Sequence, residues 1–155
     1  AGLIILNAVY DRTPDEAALV RERSKMMVAE GVKVTVDGAR ARWFREDEVA
    51  THGAMIEEIC GWMGDGDFSA KCKAHWVFAT SDDQVAGSLG NITCPALILT
   101  GDGDAGSTPQ MSEAMAHAIP NSELHILERQ QHMMPVLDAT RVNGLMRDFL
   151  DRVTT

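Results

Sequence analysis

Two residues in the last third of the chain have the types and placement to do chemistry: Asp104 and His132. Asp104 closes the run Pro95-Ala-Leu-Ile-Leu-Thr-Gly-Asp-Gly-Asp104, an apolar stretch that ends in a glycine turn. His132 follows a second apolar stretch, Glu123 to Leu127. A carboxylate beside an imidazole fixes the tautomer of the ring and stabilises the imidazolium that forms when the ring takes a proton from a nucleophile. Asp104 and His132 would then be the acid and the base of a Ser-His-Asp triad for acyl transfer, a chemistry that needs no cofactor. Asp102 competes for the acid's place, and both acids could simply end the turn, as Asp and Gly commonly do.

The third member is missing. Ala86-Gly-Ser-Leu-Gly90 resembles a Gly-x-Ser-x-Gly nucleophile elbow with Ala in first place, and Ser88, Asp104, His132 stand in the order such hydrolases use. An elbow needs a strand directly before it and a helix directly after it. Asn91-Ile-Thr-Cys-Pro95 leaves no room for that helix, so Ser88 is set aside as a nucleophile. Ser107 is read, with Thr108, as part of a helix start. No nucleophile is expected within this sequence.

The elements that would hold the pair have a strand-helix rhythm. Pro95 to Thr100 reads as a strand, Thr108 to Ala118 as a helix with Pro109 at its start, and Glu123 to Leu127 as a strand. Asp138 to Val153 is an amphipathic helix carrying Val142, Leu145, Met146, Phe149 and Leu150 at i, i+3, i+4 spacing. Strands and helices alternating at these lengths predict parallel strands joined by right-handed crossovers. Functional groups gather at the carboxyl ends of such strands, where Asp104 and His132 fall. At the other end of the chain, Gly2 to Asn7 is a short branched apolar run, read as a strand buried on both faces.

Between these lies a helical block. Thr13-Pro-Asp-Glu16 is a capping box with proline at the first helical position, and its helix runs past Val20, Met26 and Met27 to Gly31. Val32, Val34 and Val36 alternate with polar residues, which favours a strand. Ala39 to Phe44 looks helical, and Gly38 interrupts a continuous helix, so this piece stays ambiguous. Glu46 to Met63 is helical, Gly64-Asp-Gly66 breaks it, and Asp67 caps another helix that ends near Thr80. Met26, Met27, Trp43, Trp62 and Trp76 read as helix core, with a substrate-facing role as the alternative.

Composition bounds the partners. The 155 residues are 45% hydrophobic with a formal net charge of -9, which suits one domain and argues against a phosphate backbone as partner. No apolar run is long enough to span a membrane, and the opening Leu3-Ile-Ile-Leu6 has no basic flank of a signal peptide. Cys60, Cys72 and Cys94 are sparse and odd in number, which suits a reducing, cytoplasmic compartment. The five histidines are scattered, so no metal site is expected.

Residues 93 to 153 resemble the C-terminal segment of the α/β-hydrolase superfamily. Thr93-Cys-Pro-Ala-Leu-Ile-Leu-Thr-Gly-Asp-Gly-Asp104, then Met115-Ala-His-Ala-Ile-Pro-Asn-Ser122, His132 and Phe149-Leu150 carry the likeness. Residues 1 to 81 look like its sixth strand and the helical cap that often follows it. The closest flavour is the capped esterase and lactonase group that includes oxoadipate enol-lactonase. The resemblance implies a partial α/β-hydrolase fold of about three parallel strands flanked by helices, with a helical cap subdomain. Its segments would be 1–10 for the first strand, 11–82 for the cap and 83–155 for the C-terminal segment. It also implies Asp104 as triad acid, His132 as base, and a small ester or lactone as substrate. Two positions depart from the family's pattern: Gln131 precedes the histidine where Gly is usual, and Ala105 follows the acid where Pro is common.

By the same resemblance the nucleophile elbow and the oxyanion loop belong upstream of residue 1. The chain alone is therefore expected to be inactive, a C-terminal fragment of a serine hydrolase. The alternative is a non-catalytic binding or assembly module derived from such a hydrolase. A first strand without its inner neighbour presents an apolar edge that invites pairing, so a homodimer or a complementing N-terminal half is expected as partner.

Overall fold

A computed structural model describes residues 1–154, apart from the side chain of Asp83. Contacts divide the chain into two compact units, Ala1–Asp11 with Val85–Thr155, and Arg12–Gln84. The helical unit is thus an insertion in the chain of the sheet unit.

The sheet unit is built on three parallel strands in the order β1 (Leu3–Leu6), β2 (Ala96–Gly101), β3 (Ser122–Leu127). Leu3 lies opposite Ala96, and Ala96 opposite Ser122. The central strand is buried at every position, because both of its faces are covered. Alternation along it sorts the core into two layers. Leu97 and Leu99 join Leu127, Met134, Val142 and Phe149, with Ile4 and Leu6 of β1 packed against them. Ala96 and Ile98 join Met115 and Ile119 on the other face, with Leu3 and Ile5.

The flanking helices are α6 (Pro109–Ala118), the short α7 (Met134–Leu137) and α8 (Ala139–Thr154). Thr108 caps α6 by accepting from Met111 N–H at 3.3 Å, with Pro109 in the first turn. In α8 the apolar stripe turns Val142 and Phe149 fully inward, while Leu150, expected within the stripe, is 43% exposed. The first strand also differs from expectation. All four residues of β1 are half-buried rather than buried on both faces, because it lies at an edge of the sheet with β2 on one side.

The helical unit comprises α1 (Pro14–Glu30), α2 (Val32–Trp43), α3 (Glu46–Gly64) and α4 (Phe68–Thr80), with the short α5 (Asp82–Val85) at its end. The capping box at α1 is formed: Thr13 N–H donates to Glu16 Oε2 at 2.8 Å, and Glu16 N–H donates back to Thr13 Oγ1 at 3.3 Å. Asp67 caps α4 by accepting from Ala70 N–H at 2.7 Å. Helix α1 packs against α2 and α4, and α2 against α3.

One open reading is settled here and one expectation fails. Val32, Val34 and Val36 do not form a strand but open α2, where the alternating valines are only half-buried. Packing of α2 between α1 and α3 overrides their β preference. Trp62, Trp76 and Met26 are not core either, at 65%, 47% and 38% exposure, whereas Met27 is buried. The interior of the unit is made instead by smaller or aliphatic residues such as Val20, Ala39, Ile56, Ile59 and Ala79.

Candidate active site

Strand β2 delivers Asp104 and the loop after β3 delivers His132, both at the carboxyl end of the sheet. His132 Nδ1 lies 2.8 Å from Asp104 Oδ2. The carboxylate is almost wholly buried and the imidazole is partly exposed, at 1% and 26% of their side chains.

Asp104 is held on both oxygens. Oδ1 accepts from the Gly106 and Ser107 N–H groups, each at 2.9 Å. Oδ2 accepts from Asn7 Nδ2 at 2.9 Å as well as from His132. Burial by itself would raise the carboxyl pKa. The hydrogen bonds from His132, Ser107 N–H and Asn7 outweigh it and hold the group below its ordinary value. With the carboxylate ionised, the proton between Asp104 and His132 belongs to Nδ1, which fixes the ring tautomer.

The loop bearing His132 is seated on the end of β2. Asp102 N–H donates to Leu127 O at 3.0 Å and Gly103 N–H to Gln130 O at 2.9 Å. A Cβ at Gly101 would stand 2.3 Å from Gln130 O, so only glycine lets the two backbones approach this closely. Asp102, the competitor for the acid's place, is exposed and accepts from Gln130 N–H at 3.2 Å. Its carboxylate pins the loop, while Asp104 meets the imidazole.

The other candidates fall elsewhere. Ser88 Oγ donates to Val85 O at 2.7 Å, and Ser88 precedes a single 3-10 turn, Leu89–Asn91, rather than the α-helix of an elbow. Ser107 serves the acid through its backbone N–H, and its carbonyl accepts from Thr100 Oγ1 at 3.0 Å. Among the described residues no group of three or more His, Cys, Asp or Glu could hold a metal ion. None of their helices is long and apolar enough to cross a membrane.

Asn7 escaped the sequence reading. It follows β1 directly, at the same carboxyl end as the pair, which is the signal that could have found it. Its φ of 45° lies in the left-handed region that Asn tolerates, turning the chain as the side chain reaches Asp104. Its Oδ1 is buried without a hydrogen-bond partner among the described residues, as is Oε1 of Gln131.

The fold built on parallel β1, β2 and β3 is matched by solved structures. An esterase from Thermogutta terrifontis superposes with a TM-score of 0.84 at 26% identity, over 99% of this chain and 57% of that one. The fold is that of an α/β-hydrolase, in part. An enol-lactonase from Burkholderia xenovorans shares it, with a TM-score of 0.81 at 19% identity over 97% of this chain and 56% of the other. In sequence, the chain is 30% identical over 152 residues to (E)-2-((N-methylformamido)methylene)succinate hydrolase from Acinetobacter baylyi, across 96% of this chain and 55% of that protein. No family model matches. The chain spans little more than half the length of the relatives it matches, and the match fits the C-terminal part of an α/β-hydrolase.

Proposed function

We propose that Asp104 and His132 are the acid and base of a Ser-His-Asp hydrolase whose nucleophile and oxyanion donors lie outside these 155 residues. The observation that carries this is the contact between a buried, ionised carboxylate and the Nδ1 of a partly exposed imidazole. In such a triad Nε2 takes the proton of the attacking hydroxyl and returns it to the leaving group, while the acid holds the ring and offsets its charge. The bonds that Asn7 and the Ser107 N–H make to Asp104 keep that acid anionic and in place.

The substrate class is a small ester or lactone, by likeness to an esterase and an enol-lactonase. The Acinetobacter relative, named for a succinate derivative, adds substrates that carry free carboxylates. Without its nucleophile the chain is inert, since loss of that residue costs about a million-fold in serine hydrolases. Two experiments test the proposal. A fluorophosphonate probe leaves the purified chain unlabelled; labelling that disappears in Ser88→Ala overturns it. A chimera joining the uncovered part of the Thermogutta esterase to this chain hydrolyses nitrophenyl esters, and loses that activity in Asp104→Asn and in His132→Ala. An active chimera indifferent to both substitutions refutes the assignment.

A second reading rests on β1, an edge strand with apolar residues at all four positions. That edge would pair two copies of the chain. Sedimentation equilibrium would then give twice the monomer mass, reduced to the monomer by Ile5→Pro.

A further inference from the structure

The helical unit contains a small recess, open to solvent on one side, with a cavity volume of about 30 Å3, lined by Arg23, Met26, Val34, Thr35 and Arg42. The first two lie one turn apart on α1, and the other three come from α2, which packs against it. Arg23 and Arg42 are the two cations that line the recess. Arg12 pairs with Asp82, Lys25 with Glu22, Lys33 with Asp37, Arg40 with Glu57 and Arg45 with Asp47. For Arg23 and Arg42 there is no acidic partner among the described residues. Arg23 is close enough to act on Arg42, and both act on His75.

Like charges set beside one another are costly. Burial first, and repulsion from Arg23 second, push the Arg42 pKa down. His75 is lowered by burial and then by Arg23, Arg42 and Arg12. Thr35 Oγ1 is buried with no hydrogen-bond partner among the described residues, an unused donor on the wall of the same recess. Gly38 fits this plan. A Cβ there would stand 3.0 Å from Arg42 Nη1, so a glycine inside α2, poor for a helix, leaves room for the guanidinium.

We propose that this recess is a binding site for small organic carboxylates, held by the guanidinium groups of Arg23 and Arg42 and by the Thr35 hydroxyl. Guanidinium groups present paired N–H donors that match a carboxylate's two oxygens. Thr35 Oγ1 supplies a further donor, and Met26 and Val34 provide the apolar wall that an aliphatic carbon chain needs and inorganic phosphate does not. A chain of net charge -9 repels anions at long range, so recognition must come from such local geometry. The site is independent of the hydrolytic proposal, because its occupancy is read without turnover.

The test is a titration of the 155-residue chain with succinate at constant ionic strength, followed by the arginine Nε–H cross-peaks and by thermal melting. Succinate shifts the cross-peaks of Arg23 and Arg42 saturably in the millimolar range and raises Tm. Arg42→Gln and Arg23→Gln each weaken binding about tenfold or more, the scale of one lost charge-assisted hydrogen bond. Thr35→Val weakens it less. Arg42→Gln also raises the Tm of the ligand-free chain, because it removes the repulsion; a merely structural arginine would lower it. Arg42→Lys keeps the charge and the fold but loses the paired donors, and binds more weakly than the parent chain. The proposal is overturned if succinate shows no saturable shift at tens of millimolar. It is equally overturned if phosphate binds as tightly, or if the glutamine variants bind as the parent chain does.

Discussion

Adding one methyl group at Gly101 tests how the acid and the histidine are held together. A Cβ there would lie 2.3 Å from Gln130 O and 2.5 Å from Gln130 C, both backbone atoms that cannot rotate away. Relief requires the loop after β3 to retreat by about 1 Å toward normal carbon–oxygen separation. That movement acts on the hydrogen bonds Gly103 N–H to Gln130 O at 2.9 Å and Gln130 N–H to Asp102 Oδ1 at 3.2 Å. Overpacking costs about 1–3 kcal/mol, and each weakened hydrogen bond about 1 kcal/mol. Gly101→Ala is therefore expected to destabilise the sheet unit by about 2–5 kcal/mol in urea unfolding. It should also abolish the downfield imidazole N–H resonance of His132, whose proton is shared with Asp104. Gly144→Ala is the control. It lies inside α8, with nothing within 4 Å of the added Cβ. There the same substitution stabilises by about 0.5–1 kcal/mol through helix propensity. Equal stability of Gly101→Ala and the parent chain, with the His132 resonance retained, would refute the close-approach argument.

Three further outcomes are expected. The Asp104 pKa lies below its ordinary value, so its contribution to stability is fully present above an unfolded pKa of about 3.9 and is lost as pH falls through the folded value. Asp104→Asn removes that contribution at neutral pH, costing about 2–4 kcal/mol, and leaves the acid limb of a stability–pH curve shallower. Asn7→Asp sets a second carboxylate against Asp104, so urea titration shows a loss at pH 7 that is partly recovered at pH 5, as one of the two carboxyls takes a proton. Thr13→Ala removes the α1 cap and lowers the stability of the helical unit by about 1 kcal/mol in thermal melts.

The parts legible in the sequence were those whose signals are local. The apolar run Ala96 to Thr100, the capped start at Thr13 and the stripe of α8 each announce an element without knowledge of the rest. Asp104 and His132 were legible because each sits at the end of such a run. Asn7 was not, because its partner lies 97 residues away and no local pattern marks the pair. The valines of α2 misled because alternation is a strand signal only where one face is buried in a sheet, and here neighbouring helices take up those residues instead. Trp62 and Trp76 misled for a different reason: an apolar stripe gives a helix its face but does not name what covers it.

The bond from Arg12 to Asp82 has a consequence for how the chain acquires its shape. Leu3 and Ala96 must meet although roughly ninety residues intervene, and closing so long a loop in a disordered chain slows folding. Arg12 Nη1 donates to both oxygens of Asp82, at 2.7 and 2.9 Å, and to Phe78 O at 3.1 Å, so the two ends of the helical insertion are tied to each other. Once the helices have formed, the tether between β1 and β2 shrinks to the residues outside that clasp, 7–11 before it and 83–95 after it. Severing it with Arg12→Ala would leave the helices formed but delay the pairing of the strands.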